Sequence, residues 1–292
     1  MVGCGSRVGG GCFYGRVEMD GGSYTNKHGN LLVGYGFGEG EWLQCGGNAV
    51  VCSDKAYSAI PKYNNKSSET QYATNNVFAI GCLGGKGRVR LTGGEMLSNL
   101  RVFVGGAVTN AFTLYMTYQK YYDMMPSDFT NAIYIARRDT TTGYLGVLGG
   151  NFTAAHSITV GQDGTGVVEI GPTGTLHAAS LVLTNNAYTA AGDHAATLKF
   201  TFGAQGVGTA TVTNLAVASG AALTVDMRGF AYDKSKPARF PLVKAANIEG
   251  SFDDANVTLL LGEGLTETNT SVQFNGNGIE VIVKRGFAIL FR

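Results

Sequence analysis

Along most of this chain apolar and polar residues alternate over short stretches and then break at glycine, asparagine or proline. The stretches SITVG, GVVEIG, SLVLTNN, ATLKFTFG, TATVTNLAVASG and AALTVDMRG show it most clearly. A period of two sends successive side chains to opposite faces, so each stretch predicts a β-strand. The β-branched Val, Ile and Thr that fill them suit a pleated, half-buried surface. One segment breaks the pattern. Over residues 111–144 the glycines thin to Gly143 alone and aromatic residues crowd, in AFTLYMTYQKYYDMMPSDFTNAIYIARRDTTTGY. Tyr115, Tyr118 and Tyr122 recur at three- and four-residue spacing, which predicts a short helix over 112–125 closed before Pro126. Together with Tyr121 they are candidates for sugar or protein contact, against the plainer reading that they pack on the flank of the strands.

The breaks themselves recur in a fixed order. VGYGFGEGEWLQCGG (33–47) aligns without a gap on IGCLGGKGRVRLTGG (80–94), and VGGGCFYGRVEMDGG (8–22) fits the same frame with Phe13 in place of one glycine. With one residue fewer in the first gap, VGQDGTGVVEIG and FGAQGVGTATV follow, so starts fall at Val8, Val33, Ile80, Val160 and Phe202. These starts are spaced at roughly multiples of a unit of about 21 to 28 residues, which predicts a solenoid whose repeats stack on one another. A further unit is suggested by VFVGG at 102–106. The frame glycines Gly34, Gly38 and Gly40, Gly81, Gly85 and Gly87, Gly161, Gly164 and Gly166, and Gly203, Gly206 and Gly208 are read as its corners, where a left-handed backbone is needed. The expected organisation is a solenoid over 1–230, interrupted at 111–144, with terminal rungs or a cap over 231–292.

IGCLGGKGRVRLTGG also looks like a phosphate-binding loop, but the chemistry fails. Ile80 stands where a Walker loop needs glycine, no hydroxyl follows Lys86, and RVRL after Gly87 reads as strand where a dinucleotide site needs a helix N-terminus. No cofactor is expected. Composition agrees with a packed β protein: 292 residues, 44 glycines, five prolines and 44% hydrophobic residues exclude both collagen and disorder. A net charge of +1 offers no basic footprint for nucleic acid. No apolar run is long enough for a membrane-spanning helix.

The glycine-framed units, LAVASGAALTVDM, and the closing FPLVKAANIEGSFDDANV followed by IEVIVKRGFAILFR resemble autotransporter-type passenger domains. They are similar to the bacterial surface proteins built from autotransporter-associated β-strand repeats. The resemblance implies a right-handed parallel β-helix at the cell surface or in the medium, serving adhesion or display, with polysaccharide or a host or neighbouring cell surface as partner. No signal-length apolar run precedes Val8, where the frame is already under way, and no translocator barrel follows. The chain therefore reads as a fragment of a longer one, or as a reading frame begun late.

The same residues bear on other chemistry. A calcium-binding roll needs aspartate where Val89 stands between Arg88 and Arg90, and Asp163 with Glu169 reads as a solvent-facing pair. Cys4, Cys12, Cys45, Cys52 and Cys82 lack CxxC spacing, so no zinc site is expected, and stacking could bring Cys12 and Cys82 onto similar turns. A polysaccharide lyase or glycosidase needs convergent groups. Asp253 and Asp254 are the only adjacent carboxylates, and His28, His156, His177 and His194 are scattered. The expectation is a non-enzymatic structural or adhesive solenoid. A carbohydrate-cleaving β-helix and a trimeric fibre or tailspike-like segment remain open.

Overall fold

A computed structural model describes residues 2–4, 14–27, 31–35, 38–52, 62–63, 72–73, 77–82, 84–106, 141–162, 164–186, 194–233 and 236–285. The tyrosine-rich segment, with Tyr115, Tyr118, Tyr121 and Tyr122 and the helix expected over 112–125, lies outside them. The described part is nearly all β, with no α-helix.

After β1 (Val2–Cys4) the chain makes repeated three-strand passages, here called rungs. The first is β2 (Tyr14–Met19), β3 (Ser23–Asn26) and β4 (Leu31–Tyr35). The second is β5 (Glu39–Gln44), β6 (Asn48–Val51) and, beyond a small antiparallel pair β7 (Lys62–Tyr63) and β8 (Tyr72–Ala73), β9 (Val77–Cys82). The third is β10 (Lys86–Leu91), β11 (Glu95–Ser98) and β12 (Arg101–Val104). In the fourth and fifth, β13 (Thr142–Val160) and β14 (Thr165–Leu183) each run through all three positions as one bent strand. The sixth is β15 (Ala196–Thr201) with β16 (Thr209–Val217), and the seventh β17 (Ala222–Asp226) with β18 (Ala238–Gly250).

Like positions pair in parallel from rung to rung, which produces three ladders. The first joins β2, β5, β10, β13, β14, β15, β17 and finally β19 (Val257–Leu260). The second starts at β3 and the third at β1, and both end on β18.

The alternation read from the sequence decides what faces inward. In β10, Lys86 and Arg88 are exposed while Gly87, Val89 and Leu91 are buried. The register then places Val17, Trp42, Val89, Leu145, Val168, Leu198, Leu223 and Val257 one above another. With matching columns from the other ladders they make one hydrophobic core running from Met19 to Val283. Full burial of each such side chain contributes about 1.5–3 kcal/mol before chain entropy is subtracted. On the third ladder burial extends to the outer side as well: Leu32, Val77, Ala79, Cys82 and Phe103 alternate with core residues and form a second apolar cluster.

The frame glycines divide into two structural groups. Gly34, Gly81 and Gly161 end the third-ladder strands with φ of +72°, +69° and +75°, and Gly105 joins their column at +75°. Gly40, Gly87, Gly143 and Gly166 are instead the second residues of first-ladder segments, stacked in register. The two columns press backbone against backbone. A Cβ on Gly81 would overlap the carbonyl of Thr142, and one on Gly87 would overlap the amide of Gly81 and the carbonyl of Val33. Gly85 belongs with the second kind: its backbone is not left-handed, and a Cβ there would lie 2.6 Å from the carbonyl carbon of Gly34. The reading of Gly85 as a left-handed corner is corrected, because close approach and not φ excludes a side chain. The double glycines make the next corner, with Gly22, Gly47, Gly94 and Gly150 at φ of +73° to +77°.

One repeat unit is out of phase. Val33, Ile80, Val104 and Val160 occupy one column at the end of the third ladder. Phe202 follows the first-ladder strand β15, and its amide bonds to the Asp226 carbonyl. FGAQGVG therefore turns a different corner, with Gly203 and Gly206 bonded to each other across it and the Gly208 amide donating to Gly171.

Parallel stacking continues past residue 230, through β18 and β19. It ends where β20 (Thr270–Asn275) and β21 (Gly278–Val283) form an antiparallel hairpin whose second strand pairs antiparallel with β18. Ile279, Val281 and Val283 close the core there. This hairpin covers a strand edge that would otherwise offer unpaired backbone groups.

Candidate functional site on the outer face of the first ladder

Outward positions of the first ladder stack as regularly as the inward ones. One column reads Arg16, Glu41, Arg88, Tyr144 and Val167, and its neighbour Glu18, Leu43, Arg90, Gly146, Glu169, Lys199 and Thr224. Adjacent rungs lie about 4.8 Å apart, so these side chains are obliged to meet.

Near the first rungs the charges satisfy one another. Glu41 takes Arg16 at 3.4 Å and the Tyr14 hydroxyl at 3.1 Å, and Glu39 takes Lys86 at 2.8 Å. Further along, Glu169 is the centre of a tighter group. The Tyr144 hydroxyl donates to one carboxylate oxygen at 2.7 Å, while Thr201 at 2.6 Å and the Lys199 ammonium at 3.2 Å hold the other. Burial pushes the Glu169 carboxyl upward, but these three partners outweigh it and hold it below the ordinary range. Burial, with the adjacent carboxylate, drives the Tyr144 phenol well above its ordinary value, so it stays a donor. The glycine at 146 makes this geometry possible: a Cβ there would come within 2.5 Å of the Tyr144 oxygen.

Two cations of this face stand apart from that network. Arg88 lies over the Tyr144 ring, 5.1 Å from its centre, and forms no ion pair among the described residues. Arg90, two residues on and on the same face, has a buried Nε with no acceptor. Beyond Lys199, Asp226 is closed by Arg228 at 2.9 and 2.6 Å, which lowers its carboxyl.

The other residues singled out from the sequence do not join this group. Asp253 and Asp254 sit in the turn before β19, both exposed. Asp253 accepts from Asn256 at 3.4 Å and Ser219 at 3.5 Å. His156 and His177 are exposed on other parts of the surface, and His194 meets the Gly220 carbonyl at 2.9 Å. His28, Asp163 and Cys12 lie outside the described residues. Cys45 is exposed, and Cys52 and Cys82 are buried. Among the described residues no group of three or more His, Cys, Asp or Glu converges as metal ligands, and no helix is long and apolar enough to cross a membrane.

The sequence marks Arg88 and Arg90 only as an argument against calcium and reads Glu169 as solvent-facing; Glu169 is instead buried within strand β14, because Tyr144, Thr201 and Lys199 converge on it. The signal was present in the strands: RVRL, YLGV, VVEI and LKF superpose once the ladder register is known. No known family, curated protein or solved structure matches this chain.

Proposed function

We propose that this chain is a right-handed parallel β-solenoid of an exported bacterial surface protein, acting as a rigid structural or adhesive scaffold and not as a catalyst. The observation that carries the reading is the in-register stacking of three parallel ladders around one continuous core. Such a body is stiff along its axis and presents flat, repetitive outer faces, which suits display and contact more than an enclosed reaction site. The right hand follows the strong preference of parallel strand connections. Export to the cell surface follows from the resemblance of the glycine-framed units to passenger domains.

The electrostatics of the outer face support binding over glycoside hydrolysis. Hydrolysis needs a carboxylic acid kept protonated beside a second carboxylate, whereas Thr201, Tyr144 and Lys199 lower the Glu169 carboxyl and Arg228 lowers that of Asp226. The test incubates the protein with neutral and acidic polysaccharides and with intact bacterial and host cells, reading bound protein and new chain ends together. Retention on a surface without new ends is expected. New ends that disappear in Glu169→Gln would make the protein a carbohydrate-cleaving enzyme. A mass three times that of the monomer by light scattering would favour the fibre or tailspike-like reading.

A further inference from the structure

Arg88 and Arg90 present an arrangement that the fold does not consume. They lie two residues apart on β10, on the same outward face and hence about 7 Å from each other. The carboxylates closest in the ladder are already committed. Glu41 is held by Arg16 and Tyr14, Glu39 by Lys86, and Glu169 by Tyr144, Thr201 and Lys199. Tyr144 turns its hydroxyl to Glu169 and its ring face to Arg88, so it orients one guanidinium without neutralising it. The buried Nε of Arg90 has no acceptor at all. A planar oxyanion docked on this face would take charge-assisted, forked hydrogen bonds from the terminal N–H groups of the pair.

What lies beside the pair indicates what carries the anion. Thr142 and Thr165 continue the column of Lys86, and Thr197 and Thr224 lie on the same outer face farther along the ladder. Threonine hydroxyls thus flank the arginines' columns, and between them Glu169 is already closed by Tyr144, Thr201 and Lys199. Outward hydroxyls beside two cations match a linear, hydroxyl-rich polymer bearing spaced carboxylates, one of which would meet the arginine pair. A nucleic acid would need a basic footprint that a chain of net charge +1 does not have.

We propose that Arg88 and Arg90 form a site for the carboxylate of a uronate-containing polysaccharide, lying along the outer face of the first ladder. The proposal rests on the adhesive reading above and names the ligand class for it.

Calorimetric titration of the intact chain with oligogalacturonate, and with the same oligomers fully methyl-esterified, tests it. Binding to the free acid, weaker by about tenfold or more for the ester, is expected. Arg88→Gln and Arg90→Gln should each reproduce a loss of that size, with Arg88→Lys recovering part of it, while Arg239→Gln in β18 changes nothing. Circular dichroism and melting of each variant separate lost contact from lost fold. Excess acetate should weaken binding only at high concentration; equal competition by acetate at matched carboxylate would mean that the site takes any small anion and would overturn the polysaccharide assignment. Acid and ester binding alike, Gln variants binding as the parent does, or absence of binding to the acid would each sink the inference. Retention on cell surfaces in that last case would leave the scaffold reading standing.

Discussion

Gly81 and Gly87 show what a glycine does in this protein. Gly81 combines φ of +69° with a carbonyl where its Cβ would stand, while Gly87 has ordinary backbone and is excluded by contact alone. Alanine at either should cost more than about 3 kcal/mol. Gly21, with nothing within 4 Å of a Cβ and no left-handed φ, should accept alanine with little change. Denaturant melts of the three variants check this; an intact Gly87→Ala would refute the packed-column account. Glu169 gives a second test at this scale. Its folded carboxyl lies below the unfolded value, so its stabilisation is complete above about pH 4.3 and is lost as the pH falls through the folded value. Glu169→Gln should therefore be less stable than the parent by about 1–3 kcal/mol at neutral pH. The gap should close in acid, and a gap unchanged between pH 7 and pH 3 would contradict the ion-pair geometry.

At the scale of the element, the terminal hairpin has a distinct task. β21 turns a parallel stack antiparallel and sends Ile279, Val281 and Val283 into the end of the core. Val281→Asp should strip this cap, because an unpaired carboxylate cannot remain in an apolar interior. In a stack where each rung contacts mainly its neighbours, the damage should stay local. Hydrogen exchange read by mass spectrometry should show protection lost in β18 through β21 and kept in β13 and β14. Uniform loss would mean that the rungs are not separable. The bent strands β13 and β14 are legible in sequence only as shorter alternating stretches, because alternation is interrupted where their pairing shifts register, at Val147/Gly149 and Ala154/Ser157.

For the whole molecule, length along one axis separates the two ends. Trp42, the single tryptophan, is buried in the second rung against the edge of Tyr24, with ring centres 4.9 Å apart. The cluster of Phe202, Phe230 and Phe240 lies four rungs on, with centres 5.1–5.9 Å apart. Nearest-neighbour coupling predicts that Trp42 fluorescence and exchange at the Phe240 end lose structure at different denaturant concentrations. Coincident transitions would show one cooperative unit instead.

Alternation within each strand and the spacing of Val33, Ile80 and Val160 were enough to predict an all-β stack with apolar side chains turned inward, whereas the column that joins Val89, Val168 and Leu198 comes from the pairing register. The stack and its inward face follow from local rules: a period of two fixes which side faces the core, and a repeated glycine frame fixes where the chain turns. The false match at Phe202 arose because the same glycine spacing serves two different corners, which only pairing partners distinguish. The outer cluster was decided by tertiary structure for a related reason. Arg90, Gly146, Glu169 and Lys199 are far apart in sequence, and insertions of unequal length hide their common column. Only parallel hydrogen bonding between rungs brings them within about 4.8 Å steps of one another. The sequence by itself thus determined the strands, their inner face and the corners at Gly34, Gly81 and Gly161. The ladder register decided which charges are neutralised and which two arginines form no ion pair among the described residues.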